Sequence, residues 1–279
     1  MQQIRAFIQF LWHSKNEHGV HSPFVFDLVT QCFYDKKKYP AYEKLASYRN
    51  QLLANSNTIE VTDFGAGSRV FKSNTRAINA IAKNAGISPK RAQLLFRLVQ
   101  YFQPESILEI GTSLGLATAA LHLGQPNAQL ITLEGCPNTQ RIAQSEFQKL
   151  FPSSHSIAWI TTEFSAYLNT LKATTQFDCI YFDGNHSKAA TLAYFEQLLS
   201  TATNDSVWIF DDIHWSTDME EAWESIKNHP AVTVTIDTFQ WGLVFFRRHR
   251  LLHGRGQAES DAYRASNRYS LDGFADFEP

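Results

Sequence analysis

Apolar residues near the start of the chain recur at helical spacing. Ile4, Phe7, Ile8, Leu11 and Trp12 predict an amphipathic helix that docks on its own domain or on a second subunit. Ser22-Pro23 reads as an N-cap followed by proline at the first helical position, opening a helix through Phe24, Val25, Leu28 and Val29. A further helix is expected over Tyr42–Leu53. The stretch from Asn55 to Asn74 is rich in Asn, Ser, Thr and Gly around one alternating run, Ile59–Phe64, and reads as loop with one strand. Helices resume at Thr75–Lys83, and Ser88-Pro89 repeats the cap-plus-proline signal before Ala92, Leu95, Phe96, Leu98 and Val99.

From Ser106 the pattern becomes strand–helix alternation. Apolar runs stand at Ile107–Ile110, Leu130–Leu133, Ile157–Ile160, Cys179–Phe182, Val207–Phe210, Val232–Ile236 and Leu243–Phe246. Helical stretches separate the first six: Leu116–Leu123, Pro137–Leu150, Phe164–Leu171, Lys188–Leu199 and Thr217–Lys227. Such alternation predicts an α/β fold, a mostly parallel Rossmann-like sheet of seven strands with helices on both faces. The link Thr238–Gly242 is too short for a crossover helix, so the last strand is expected to run antiparallel to its neighbour. Three segments follow: a helical extension or lid over 1–88, an α/β domain over 89–248, and an aperiodic tail over 249–279, expected to be poorly ordered.

Composition narrows the classes. A net charge of -2 advertises no nucleic-acid surface. The three cysteines, Cys32, Cys136 and Cys179, are far apart and form no Cys-x-x-Cys, which disfavours a disulfide framework or structural zinc and suits a reducing cytoplasm. No apolar run reaches the ~20 residues of a membrane span. Residues 1–15 lack the small-residue cleavage site of a secretory signal.

The strongest chemical signal is Ile107-Leu-Glu-Ile-Gly-Thr-Ser-Leu-Gly-Leu-Ala-Thr118. A strand ends at Ile110, Gly111 makes the tight turn, and Gly115 lets a helix N-terminus approach a ligand. The spacing Gly-x-x-x-Gly is one glycine short of the dinucleotide fingerprint, so a pyrophosphate lacks its cradle. About twenty residues on, Glu134 closes the second strand, where a carboxylate accepts both hydroxyls of a ribose and repels a 2′-phosphate.

Glu109-Ile-Gly-Thr-x-x-Gly, Leu133-Glu134, Phe177-Asp178-x-x-x-Phe-Asp183-Gly and Phe210-Asp211-Asp212 resemble the successive motifs of class I S-adenosylmethionine-dependent methyltransferases, the catechol-type O-methyltransferases and their relatives among them. The resemblance covers about Pro89 to Arg247. It implies S-adenosylmethionine as cofactor, with Glu109, Gly111, Thr112, Ser113 and Gly115 lining its methionine and ribose end. It also implies that Glu134 holds the ribose, that Glu163 and Phe164 sit beside the adenine, and that Asp183 faces the reacting centre.

Asp183, Asp211 and Asp212 close neighbouring strands, and three carboxylates in one crevice repel unless a cation or a proton intervenes. Oxygen-only ligands suit Mg²⁺ or another hard divalent cation. In the catechol-type enzymes the matching triad is Asp, Asp, Asn, but here Asp212 replaces the Asn. The Lys expected two residues after Asp183 is replaced by Asn185, followed by His186. The alternative to a metal is a general-base unit in which one acid pairs with His186 or His214. Asp183, His186 and His214 are therefore the candidate catalytic residues.

Other features carry weaker readings. Asp63-Phe-Gly-Ala-Gly-Ser68 is either a plain turn or a loop over the site that makes Asp63 or Arg69 substrate-facing. Tyr181, Trp215 and Trp241 are either acceptor-site rings or core. His13, His18 and His21 have no partner acid or cysteine at ligand spacing and read as solvated. The expected function is O-methylation of a small molecule in the cytoplasm, with a homodimer formed through the N-terminal helices. The alternatives are the same fold acting on a protein, lipid or nitrogen acceptor, or a cofactor-binding module without catalysis; an NAD-dependent oxidoreductase fits least, lacking the third glycine and a Tyr-x-x-x-Lys pair.

Overall fold

A computed structural model describes residues 2–14, 22–62, 73–152, 154, 156–247 and 267–271. The glycine stretch 63–68, Arg69, His18, His21, the side chain of His13 and most of the tail lie outside the described residues. The chain begins with α1 (Gln2–His13), α2 (Pro23–Leu28, continued by a π-helical turn, Val29–Phe33) and α3 (Pro40–Leu53). Then come β1 (Thr58–Glu60), β2 (Thr75–Ala77), α4 (Ile78–Asn84) and α5 (Pro89–Phe102). The alternating part follows as β3 (Ser106–Ile110), α6 (Leu116–Gly124), β4 (Gln129–Glu134), α7 (Pro137–Leu150), β5 (Ile157–Thr161), α8 (Phe164–Leu168), β6 (Cys179–Phe182) and α9 (Lys188–Leu198). It ends with β7 (Val207–Asp211), α10 (Thr217–Lys227), β8 (Val234–Asp237), β9 (Trp241–Phe245) and β10 (Arg268–Ser270).

Local chemistry sets the helix starts. Ser22 and Ser88 accept hydrogen bonds from the N–H groups of Val25 and Arg91, each just before a proline at the start of its helix. Ser187 and Ser216 cap α9 and α10 in the same way. Each satisfies a donor that the first helical turn leaves open, worth about 1 kcal/mol.

Two compact units share the chain: 36–171 with 183–185, and 1–35 with 172–182 and 186–279. In the first, β3, β4 and β5 pair in parallel, with Ile107 opposite Leu130 and Leu130 opposite Ile157. Here α3 is held by Tyr48, fully buried, whose hydroxyl donates to the Leu114 carbonyl at 2.8 Å. In the second unit, β6 and β7 are parallel, and β9 runs antiparallel to both β7 and β8. The large rings of this unit, Trp208, Trp223, Trp241 and Tyr181, are all buried. The sheet follows the order β3-β4-β5 in the first unit and β10-β8-β9-β7-β6 in the second. It is the mostly parallel, Rossmann-like sheet expected, with the antiparallel hairpin strand where the short Thr238–Gly242 link requires it.

Two details differ from expectation. Thr75–Ala77 is a strand, not the first turn of a helix, because Ile59 and Arg76 pair in an antiparallel hairpin. The tail contributes an eighth strand, β10, which pairs in parallel with β8 and buries Tyr269 and Leu271. Helix α1 is amphipathic, as its spacing predicts. Phe7 and Phe10 pack on Phe239 with ring centroids 4.9 and 5.6 Å away, yet Ile4, Ile8, Leu11 and Trp12 are exposed.

Candidate cofactor and active site

The Gly111–Gly115 loop leaves β3 and enters α6. Gly111 adopts φ +103°, and a Cβ there would overlap the carbonyl of Asp183, so side chains are excluded on two grounds. The N–H groups of Gly111 and Thr112 both donate to the Leu133 carbonyl at 3.0 Å, which ties the turn to β4. Ser113 is left-handed at φ +48°, and Gly115, the N-cap of α6, sits at φ +76°.

The Ser113 conformation has a visible use. Its N–H donates to Glu134 Oε2 at 2.8 Å, while the Cys136 N–H donates to Oε1 at 2.9 Å. Glu134 is thus fixed at the end of β4 by two backbone donors. A carboxylate held in this way presents oxygen acceptors, which is the chemistry that a pair of hydroxyls needs.

Glu109 is fully buried on β3. Its Oε2 accepts hydrogen bonds from Thr118 and Thr132, each at 2.6 Å, and Thr112 closes the chain by contacting Thr132 at 2.5 Å. Its Oε1 has no hydrogen-bond partner. Burial pushes the carboxyl up to about 8; the two threonine hydroxyls pull against this, and the charges of Asp183 and Glu134 add to it.

Phe164 opens α8, and its ring lies against Gly184, where a Cβ would come within 2.6 Å of it. Glu163 is exposed and caps the same helix, its two oxygens accepting from the Ser165 and Ala166 N–H groups at 3.0 and 2.8 Å. Asp183 is half-buried just after β6, with its N–H on the Ile110 carbonyl at 2.8 Å. Glu109, Thr112, Ser113, Glu134, Phe164, Asp183 and the glycines 111 and 115 all belong to one unit.

The remaining acids and histidines belong to the other unit. Asp211 is buried, accepting from the Tyr181 hydroxyl at 3.3 Å and from the Asp212 N–H at 2.9 Å. Asp212 follows it in a left-handed conformation, φ +56°. His214 has both ring nitrogens engaged: Nε2 with Asp237 Oδ2 at 3.0 Å and Nδ1 with Glu220 Oε1 at 3.3 Å. Trp223 Nε1 donates to the same Asp237 oxygen at 3.0 Å, and the imidazole stacks on Phe239 at 5.1 Å. Burial disfavours the imidazolium, but the hydrogen bond and charge of Asp237, then those of Glu220, outweigh it and hold the ring above its ordinary value. As placed, neither nitrogen offers a free lone pair for proton abstraction. His186 packs near Trp215, ring centroids 6.1 Å apart. Tyr181 and Trp241 are core rings, buried and 6.0 Å apart.

Among the described residues no group of three or more His, Cys, Asp or Glu side chains has the arrangement to hold a metal ion; Asp183 belongs to one unit and Asp211 and Asp212 to the other. Asp237, Glu220 and Trp223 were not singled out from sequence. Asp237 alone carried a signal, as an acid closing a strand.

Comparison with known proteins agrees with this geometry. Residues 108–213 match a family described as a methyltransferase domain. Over that stretch the chain is similar to methyltransferase domains. No curated protein matches the chain in sequence. Among solved structures it is similar to the O-methyltransferase of Bacillus cereus in complex with S-adenosylhomocysteine (19% identity, 79% of this chain and 100% of that one, TM-score 0.53). It is also similar to the S-adenosylhomocysteine-bound methyltransferase PaMTH1 of Podospora anserina (15%, 82% and 97%, 0.56). A third is the O-methyltransferase TomG of Streptomyces achromogenes, solved with S-adenosylmethionine (18%, 78% and 96%, 0.54). At these identities the likeness establishes the fold.

Proposed function

We propose that the chain is a methyltransferase that binds S-adenosylmethionine at the carboxyl ends of β3 and β4 and methylates a hydroxyl oxygen of a small molecule. The observation that carries this is Glu134, held by the Ser113 and Cys136 N–H groups beside the left-handed glycine turn. A free ribose diol fits a fixed carboxylate there, and a phosphorylated ribose does not. The buried Glu109 oxygen without a partner suits a ligand that brings positive charge.

The cofactor supplies a methyl group on a sulfonium centre, already activated for displacement. The chain's own residues then have three tasks: to hold the ribose at Glu134, to pack the adenine against Phe164, and to align the acceptor in a dry crevice. A base must also take the acceptor proton. His186 is the residue we assign to that task, with Asp183 facing the reacting centre; His214, gripped at both nitrogens, serves the scaffold. Residues 1–88 are assigned to the acceptor pocket. Among the described residues no helix is long and apolar enough to cross a membrane.

The test has two arms. Calorimetry with S-adenosylhomocysteine should give saturable binding that Glu134→Ala weakens. Incubation of the enzyme with methyl-labelled cofactor and a pool of hydroxylated metabolites should transfer label to oxygen. Label on nitrogen, or on protein, would move the function to another acceptor class; absence of cofactor binding would overturn the proposal.

A further inference from the structure

Glu109 has a setting that a bare carboxylate cannot easily tolerate. It is 0% exposed, Oε2 is satisfied by two hydroxyls, and Oε1 has no partner. The groups that face it give no compensating charge. Thr118 comes from α6 and Thr132 from β4, both neutral, while Glu134 on β4 and Asp183 after β6 each make ionisation harder. Tyr48 on α3 feels the Glu109 charge in turn and is raised by it, after its own burial and Glu146.

We propose that Glu109 is held as a neutral acid in the free protein and releases its proton when S-adenosylmethionine binds, so that cofactor uptake and proton release are one coupled event. The inference rests on the cofactor reading above. The cofactor brings an ammonium and a sulfonium to a site ringed by Glu109, Glu134 and Asp183. Arriving positive charge offsets the repulsion from Glu134 and Asp183 and stabilises the Glu109 anion, whose O–H proton passes to solvent. The balance is simple: cofactor and the neutral acid give bound cofactor, carboxylate and one free proton. With the carboxyl at about 8, most of the Glu109 population is protonated at pH 7 and little of it above pH 9. Affinity is thereby linked to pH: the site binds more tightly as pH rises, up to the carboxyl's own value.

The experiment is titration of the whole protein with S-adenosylmethionine, without acceptor, in buffers of different ionisation enthalpy near pH 7. The slope of observed heat against buffer enthalpy counts the protons. Release of at least about half a proton per cofactor is expected, vanishing in Glu109→Gln, which keeps the acceptor for Thr118 and Thr132 but cannot ionise. A smaller release, or equal release in Glu109→Gln, overturns the inference. Should that variant not fold, the wild-type affinity still decides. It should rise roughly five- to ten-fold per pH unit between about pH 6 and pH 7.5 and level off above about pH 8, and a flat profile overturns the proposal. If S-adenosylmethionine does not bind at all, the cofactor reading itself fails; if it binds without releasing a proton, only the coupling fails.

Discussion

Replacing His214 by Gln should loosen the β7–α10 region in a pH-dependent way. When protonated, the His214 ring donates to Asp237 at 3.0 Å and to Glu220 at 3.3 Å, and among the described residues Asp237 also accepts from the Trp223 Nε1–H and the Phe239 N–H (2.8 Å). Asp237 is buried, so its bond to the imidazolium is the valuable one, a charge-assisted contact of about 1.5–3 kcal/mol. Glu220 is partly exposed and adds little. Gln still offers a donor but no charge, and the stack on Phe239 is also lost. We expect a cost of about 2–3 kcal/mol, a fall in Tm of roughly 4–10 °C for a chain of this size. The pH dependence follows from the direction of the shift. A histidine raised in the folded state stabilises fully below its unfolded value, near 6.5, and that contribution fades as pH rises through the raised value. Thermal melts of both proteins at pH 6 and pH 9 read the effect, and the gap should be wide at pH 6 and narrow at pH 9. A gap that is constant with pH would refute the imidazolium clamp.

Other outcomes follow from the site. Gly111→Ala should cost at least about 3 kcal/mol in chemical denaturation and abolish cofactor binding, because both the φ of +103° and the Asp183 carbonyl forbid a Cβ; a stable variant with normal affinity would contradict this. Glu134→Ala should weaken S-adenosylhomocysteine by about 1–3 kcal/mol in calorimetry, and unchanged affinity would remove Glu134 from the ribose site. Methyl transfer should survive a chelator and show a pH–rate limb near a histidine value that His186→Ala erases; loss with chelator and recovery with Mg²⁺ would reinstate a metal.

Much of the fold was legible because its signals are local. The caps at Ser22 and Ser88 and the strands at Cys179–Phe182 and Val207–Asp211 fall where cap chemistry and apolar runs put them. The errors lie where pairing at a distance decides. Thr75–Ala77 has a helical composition, yet its partner is a strand seventeen or so residues earlier. β10 is three residues long, too short for a period to show, and its pairing with β8 is what makes it a strand. At the site, the Gly-x-x-x-Gly turn and Glu134 could be read from spacing, whereas the grip on His214 could not. Asp237 is separated from it by 23 residues and Glu220 by 6, and no spacing rule links them.

The places where the backbone is forced into the left-handed region argue independently for where chemistry belongs. Five non-glycine residues adopt it among those described: Gln103, Ser113, Asn185, Asp212 and Phe239. Gln103 closes α5, an ordinary use of that conformation at a helix end. The other four each follow the carboxyl end of a strand, β3, β6, β7 and β8 in turn. Each costs of order 1 kcal/mol and persists only where surrounding contacts enforce it. The contacts are identifiable: the Ser113 N–H is committed to Glu134, the Asp212 N–H to Asp211, and the Phe239 N–H to Asp237. In these three cases the strained turn aims a backbone donor at a carboxylate and helps to fix its orientation. Ligands of open α/β sheets bind outside the carboxyl ends of the strands. Strain at these strand ends is thus spent on orienting carboxylates at the edge where such sheets take their ligands.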